Sequence, residues 1–228
     1  MAAQDEWKTK RGRVVFRVVE ETLDTMCSPP VRCMYCEDNG AYQVEHFRPK
    51  SLYPRLVFAW ANFLYACGQC NGPKLNRFAI FSKTGALLEQ STSDTEPDDG
   101  PSVLLDPRHE DPMEYLRLDL QEPFYFRKMH PERSTGYERA RVTLDWLGLN
   151  RRDELLAARE AAYEAYVSHL CNYAEQKRAG ASRERLARIE RAIRRTPHAT
   201  VFREMQRQRL DIDELRELFD RVPEAIDW

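Results

Sequence analysis

The sequence lacks an excess of charge of either sign. Its 35 Lys and Arg residues against 37 Asp and Glu residues leave a formal net charge of −2 over 228 residues. A protein coated uniformly with basic residues is therefore excluded, and any nucleic-acid-binding surface has to be local. The sequence also lacks an apolar run approaching the ~20 residues that span a bilayer. No internal repeat is present.

The N-terminus lacks the apolar stretch and the small-residue cleavage site of a secretory signal, so we expect a cytoplasmic protein. In that compartment the six cysteines are expected to be metal ligands or free thiols and not disulfides. A hydrophobic content of 42% is sufficient for one domain, or two small ones, with a buried core.

Changes in composition divide the chain into an N-terminal segment, a cysteine-rich module, a connecting region and a helical region, at residues 1–30, 31–83, 84–133 and 134–228. The apolar run at 14–23 predicts a short helix or strand that Pro29 and Pro30 end. The acidic stretch at 87–101, rich in Ser, Thr and Pro, predicts a surface loop. Short strands and turns are expected over 103–130.

The last third of the chain has helical periodicity. Helices are predicted over 137–147 and 151–178, with Gly180 ending the second, Ser182 capping the next, and Asp211 capping a final helix that reaches Val222. An apolar stripe on the long helix is either core or a partner-docking face, and core packing is favoured. It comprises Tyr163, Tyr166, Leu170 and Tyr173.

Two CxxC pairs, Cys33 with Cys36 and Cys67 with Cys70, are the most specific motif of the sequence. Each pair can direct two thiolates to one ion from a tight turn, and two pairs complete a tetrahedral sulfur site typical of structural Zn²⁺. Two separate cysteine pairs or a redox motif would be the alternative. The presence of both pairs favours zinc. Cys27 and Cys171 lie outside the pattern and are expected to be ordinary buried thiols.

Between the two cysteine pairs lie Glu45, His46 and Asn62, and Asn71 and Lys74 follow the second pair at once. Phosphodiester hydrolysis needs a base for water and a divalent ion for the developing charge. His46 is a suitable base because its ordinary pKa is near neutrality. A lone histidine would more often be structural, but its position beside a carboxylate and between the cysteine pairs favours catalysis.

The stretch 47–83 contains no acidic residue but six cations, which predicts a local basic patch for phosphate contact. The cations that we assign to nucleic-acid binding are Arg48, Lys50, Lys74 and Arg77. Because a run of charge is usually only a solvated surface, this pattern favours nucleic acid modestly.

Together these residues resemble the HNH (ββα-metal) nuclease family, over 33–74. The resemblance implies an α+β fold in which a zinc-stapled ββα-metal module is embedded in a mostly helical body. It implies His46 as general base, Glu45 and Asn71 as ligands of a catalytic metal, and Asn62 as the residue that braces the loop and orients the site. The four cysteines would hold the structural zinc.

Two positions depart from the commoner family pattern. Asn71 replaces a histidine, and because an amide oxygen is a harder donor than an imidazole, we expect Mg²⁺ or Mn²⁺ in the catalytic site. Glu45 stands where aspartate is common.

A second resemblance extends over about residues 30–160, to the HNH subunit of Septu and retron-associated anti-phage systems. Its motifs are the segments 45–51, 104–107, 111–112 and 143–150, together with Arg159. This resemblance implies an anti-phage effector that acts beside an ATPase of the ABC/SMC type, with DNA as the favoured substrate and RNA as the alternative.

Two other functions stay open at this point. The chain could be a zinc-stapled nucleic-acid-binding module without catalysis, although the combination of Glu45, His46, Asn62 and Asn71 favours an enzyme. The nearly balanced charge of the helices in 151–222 also suits a protein-facing interaction subunit, which is compatible with nuclease activity.

Overall fold

A computed structural model describes residues 2–12, 14–28, 31–90, 99–121 and 123–228. The described chain is mainly helical, with three small antiparallel sheets of two strands each. The helices are α1 (Ala2–Lys10), α2 (Val14–Met26), α3 (Gly68–Lys74), α4 (Thr135–Leu147), α5 (Asp153–Arg178), α6 (Arg183–Arg195), α7 (Ala199–Gln208) and α8 (Asp213–Arg221). The strands are β1 (Gln43–His46), β2 (Phe63–Ala66), β3 (Ala79–Phe81), β4 (Leu87–Glu89), β5 (Leu116–Leu118) and β6 (Phe126–Lys128). The mixed α and β content expected from the sequence is therefore observed.

The cysteine-rich module is built from β1, β2 and α3. Strand β1 pairs antiparallel with β2 in a register that places Gln43 opposite Ala66 and His46 opposite Phe63. Helix α3 begins two residues after β2 and packs back against β1. Because side chains alternate along a strand, Glu45 and His46 leave β1 on opposite faces. The side chains of these two neighbouring residues therefore pack against different parts of the molecule.

The stretch 87–101 is not wholly a loop. Leu87–Glu89 forms strand β4, which pairs with β3 across a turn at Gly85, where φ is +82°. The sequence-based prediction missed this strand because its three residues are too few to show an alternating pattern. Residues 91–98 of the predicted loop lie outside the described part of the chain.

Most of the helical predictions are confirmed, and one cap is wrong. The run at 14–23 lies in helix α2, and Ser182 caps α6 by accepting a hydrogen bond from the Arg185 amide at 3.3 Å. Asp211 does not cap the final helix, which begins at Asp213. The Asp211 carboxylate instead accepts a hydrogen bond from Arg117 at 2.7 Å, so a contact distant in sequence replaces the local cap.

The apolar stripe of α5 packs inside the chain. Tyr166, Leu170 and Tyr173 are buried, and Tyr163 is half-buried against the ring of Phe124. The stripe therefore belongs to the core of the helical region, which α5 forms with α6, α7 and α8. A second core joins the cysteine-rich module to α2 and α4.

Among the described residues, none of the helices combines the length and the apolar content that crossing a membrane requires.

Candidate functional site

The four cysteines of the two CxxC pairs converge at one point. Their Sγ atoms all lie within 4.8 Å of one another, and all four residues are buried. Cys67 is the N-cap of helix α3 and Cys70 lies in its first turn. Cys33 and Cys36 lie in a turn that hydrogen-bonds to β2 through the Met34 amide and the Tyr65 carbonyl, 3.0 Å apart. Four buried sulfurs at this spacing fit the tetrahedral coordination of a structural Zn²⁺.

Hydrogen bonds among the four sulfurs shift the pKa values of the cysteines in opposite directions. They lower the pKa of Cys33 and Cys67 and raise the pKa of Cys36 and Cys70. A zinc ion would allow all four cysteines to be thiolates, since metal binding displaces their protons. The two remaining cysteines, Cys27 and Cys171, are half-buried rather than buried, and burial raises the pKa of Cys27 to about 11.

Two arginines from the start of α5 face this sulfur cluster. Arg152 donates a hydrogen bond to Cys70 Sγ at 3.5 Å and another to Gln69 Oε1 at 2.9 Å. Arg159 is buried and donates to the Phe124 carbonyl at 3.1 Å. Burial lowers the pKa of Arg159 to about 10, and the charge of Cys36 is the largest effect that opposes it. Four thiolates around one Zn²⁺ would leave excess negative charge, which these guanidinium groups would offset.

Glu45 leaves β1 on the face that packs against helix α3. Its Oε1 atom lies 2.5 Å from the Lys74 ammonium, and both side chains are almost completely buried. Burial raises the pKa of Glu45, while the charge of Lys74 opposes that shift. Lys74 also donates to the His46 carbonyl at 3.1 Å. Lys74 therefore has no exposed atom for phosphate contact in this conformation.

His46 lies on the other face of β1, buried among aromatic side chains. Its ring is 4.3 Å from Trp7 and 5.3 Å from Phe63, measured between centroids. Its Nε2 atom lies 3.0 Å from the carbonyl oxygen of Val57. Burial lowers the pKa of His46 to about 4, so the imidazole is neutral at neutral pH.

Asn62 holds the loop between the two strands of the hairpin. Its Oδ1 accepts from the Arg48 amide at 2.7 Å, and its Nδ2 donates to the carbonyls of Arg48 at 3.0 Å and Leu56 at 3.2 Å. The side chain is buried. These three hydrogen bonds connect both ends of the loop that provides the Val57 carbonyl to His46.

A cleft of about 290 Å³ brings several of these residues together. Glu45, His46, Lys50 and Asn71 all line it, and Asn62 does not. Asn71 donates through Nδ2 to Gln43 Oε1 at 2.8 Å, which leaves the Asn71 amide oxygen available for another partner. The two residues assigned to the catalytic metal and the residue assigned as the base therefore line the same cleft.

The remaining predicted nucleic-acid-binding cations have varied surroundings. The Arg48 guanidinium lies 5.0 Å from the ring centroids of Tyr53 and Phe78 and donates to the Gly100 carbonyl at 2.9 Å. Arg77 lies 4.5 Å from the ring centroid of Trp146. Lys50 lines the cleft beside Glu45. Of this set, Lys50 is therefore the cation that lies at the cleft.

Sequence reasoning missed several residues that shape the site. Neither the Val57 carbonyl nor the Gln43 side chain has a local signal, because their contacts depend on the loop and on helix α3. Arg152 could have been noticed as a cation at the start of a helix, where acidic residues are favoured. Trp7 could have been noticed as an isolated aromatic residue in an otherwise polar helix.

Comparison with known proteins adds one short similarity. No protein-family model and no solved structure matches the chain. A segment of 48 residues is 46% identical to the Septu protein PtuB of Bacillus thuringiensis, and it covers 19% of this chain and 19% of that protein. The chain thus matches about a fifth of the length of this curated relative. The short similarity and the four-cysteine cluster are together compatible with an HNH-like Septu protein.

Proposed function

We propose that this protein is a metal-dependent HNH endonuclease that hydrolyses phosphodiester bonds, most favourably in DNA, as a Septu-related defence effector. The observation that carries the proposal is the cleft in which Glu45, His46 and Asn71 meet beside a four-cysteine cluster. The short similarity to the Septu protein PtuB supports the defence role. An ATPase partner of the ABC/SMC type is part of the proposal through the resemblance.

The hydrogen bond to Val57 supports His46 as the base. A carbonyl oxygen can only accept, so His46 Nε2 must carry the ring proton. The lone pair of the neutral ring is then on Nδ1. In the proposed step Nδ1 takes a proton from the attacking water, the water oxygen bonds to phosphorus, and the bond from phosphorus to the leaving oxygen breaks.

The donor set of the cleft fits a hard divalent cation. Carboxylate and amide oxygens, as offered by Glu45 and Asn71, are the donors that Mg²⁺ and Mn²⁺ prefer. A cation bound there would stabilise the negative charge that develops on the phosphate during hydrolysis. The Asn71–Gln43 hydrogen bond orients the amide so that its oxygen is the free atom.

Asn71→Ala is expected to raise the metal concentration that cleavage requires. Loss of one oxygen donor should shift the half-maximal Mg²⁺ concentration upward on the order of tenfold to a hundredfold, while excess Mg²⁺ restores part of the rate. The measurement is the initial rate of plasmid nicking over a Mg²⁺ titration. Asn76→Ala is the matched control, because Asn76 lines the same cleft but has no assigned role. Equal Mg²⁺ requirements for both variants would remove Asn71 from the ligand set.

Lys74→Met tests Glu45 as a metal ligand through stability. The substitution leaves a buried carboxylate without its counter-charge, which should lower the free energy of unfolding by about 3–5 kcal/mol. A cation bound by Glu45 replaces that charge, so added Mg²⁺ should recover stability by binding the folded state. Urea unfolding of zinc-loaded protein with and without Mg²⁺ measures both effects.

The double variant Glu45→Gln with Lys74→Met is the control, since it removes both charges together. It should lose less stability than Lys74→Met alone and should not respond to Mg²⁺. A Lys74→Met protein that is equally stable with and without Mg²⁺ would show that Glu45 binds no cation.

The ion pair between Lys74 and Glu45 favours one alternative function. A carboxylate neutralised by a lysine could be purely structural, which would leave a zinc-stapled nucleic-acid-binding module without catalysis. One set of incubations separates the two functions. The zinc-loaded protein is incubated with supercoiled plasmid or with total RNA, in the presence of Mg²⁺ or Mn²⁺, and each reaction is run with and without a candidate ATPase. The proposal expects cleaved DNA, whereas binding without cleavage in every combination supports the alternative.

A further inference from the structure

Helix α1 lies over the candidate site but is held there by few contacts. Of its described side chains, Asp5 to Lys10, Trp7 is the one that is buried, with 5% of its surface exposed. The ring of Trp7 meets His46 edge-on at 4.3 Å and also packs against Phe16 at 4.7 Å and Phe63 at 5.5 Å. One aromatic side chain therefore docks a polar helix directly on the imidazole assigned as the base.

The docked helix and the residue that follows it carry exposed cations. The Lys8 side chain is 73% exposed and meets only the equally exposed Asp5 at 3.8 Å among its described ion-pair partners. Arg11, just beyond the helix, is also exposed. Burial is the main cause that lowers the pKa of Lys50, and the charges of Arg11, Lys74 and Lys8 lower it further. Lys8 and Arg11 do not line the cleft, but their charges lie close enough to act on the cleft residue Lys50.

An exposed aromatic ring lies on the same side of the molecule. Phe58 is 43% exposed, with its ring centroid 5.9 Å from that of Trp7 and 5.5 Å from the Lys10 ammonium. Cations interleaved with an exposed aromatic ring suit nucleic acid, since the cations contact phosphates and the ring can stack on an unpaired base. In a chain of net charge −2, such a local cluster favours a polyanionic partner.

We propose that α1 forms part of the nucleic-acid-binding face of the nuclease site, docked on His46 by Trp7 and presenting Lys8 and Arg11 to the phosphate backbone of the substrate. This inference rests on the proposed function, because it takes the cleft as the place where the backbone is cut. It adds a binding element that lies outside the cysteine-rich module.

The double variant Lys8→Glu with Arg11→Glu tests this surface. This variant and the variants below are made in the zinc-loaded wild-type chain. Binding is measured in metal-depleted buffer without Mg²⁺ or Mn²⁺, so that a labelled DNA duplex is bound without being cut, and cleavage is measured separately after Mg²⁺ is added. Reversal of two phosphate-contacting charges should weaken binding by roughly tenfold or more, and should reduce the slope of log affinity against log salt by about 2. Fluorescence anisotropy over a salt series measures both quantities.

Arg183→Glu with Arg188→Glu is the matched control, because it makes the same change in net charge at exposed positions of α6. Its affinity and salt slope should stay close to those of the parent. Equal behaviour of the two double variants would overturn the proposal, since any loss would then be a net-charge effect.

Trp7→Ala tests the docking itself. With Lys8 and Arg11 intact but the helix released, DNA binding should fall toward the level of the charge-reversal variant. Unchanged binding with faster cleavage would instead make α1 an inhibitory cover and would overturn the proposal. A wild-type protein that binds DNA through these cations but never cuts it would overturn the proposed nuclease function and leave the binding surface standing.

Discussion

Cys67→Ser is expected to release zinc and unfold the module that contains the candidate site. Cys67 is the N-cap of helix α3, and its Sγ lies 3.8 Å from Cys36 Sγ, so the proposed ligand set joins two segments separated by 31 residues. A structural zinc site contributes on the order of 10 kcal/mol to folding, which is comparable to the whole net stability of a typical domain. The loss should appear as less than one zinc per chain and a lower melting temperature. The NMR amide resonances of residues 31–83 should also take the chemical shifts of an unfolded chain.

Cys171→Ser is the control for this experiment. Cys171 lies on α5, outside the sulfur cluster, and its replacement should leave zinc content and melting temperature close to those of the wild type. A Cys67→Ser protein that stays folded with no zinc, or wild-type protein that is folded and contains no zinc, would rule out the structural metal.

His46→Ala is expected to abolish cleavage while leaving the protein folded and loaded with zinc. A positioned general base contributes about 10²–10⁴-fold to the rate, and the substitution leaves Glu45, Asn71 and the cysteines in place. Affinity for DNA should therefore change little. The measurements are single-turnover cleavage of plasmid, zinc content, and binding of a labelled duplex.

The His46→Ala substitution needs a folding control and a matched comparison. His46 is packed between Trp7 and Phe63, so the variant needs a folding control, for which circular dichroism and zinc content serve. His169→Ala provides the matched comparison, because it removes a half-buried histidine of α5 that has no role in the site. Cleavage at the wild-type rate by His46→Ala would place the base elsewhere.

The parts of the fold that sequence could predict depend on local patterns. The CxxC spacing brings two thiols together whatever the rest of the chain does, and the convergence of both pairs in one cluster is confirmed. The helical stripe of α5 is likewise a local pattern, and its core packing is confirmed for Tyr166, Leu170 and Tyr173. The zinc itself and the catalytic roles stay predictions.

The parts that sequence could not predict depend on contacts between distant segments. Asp211 has the sequence context of a helix cap, but Arg117, 94 residues away, takes its carboxylate. Lys74 belongs to an acid-free stretch that predicts a phosphate-binding patch, yet the fold buries it against Glu45. The packing of Trp7 on His46 joins residues of two segments that no periodicity relates.

Metal-dependent nuclease activity is measured by the rate at which zinc-loaded wild-type protein nicks supercoiled plasmid as Mg²⁺ is added to metal-depleted buffer. A metal-dependent nuclease should show no cleavage before the addition and cleavage that rises and saturates with Mg²⁺ or Mn²⁺, and His46→Ala should show no such response in the same series. Cleavage that is indifferent to added metal, or no cleavage of plasmid or RNA at any metal concentration, would contradict the proposed function.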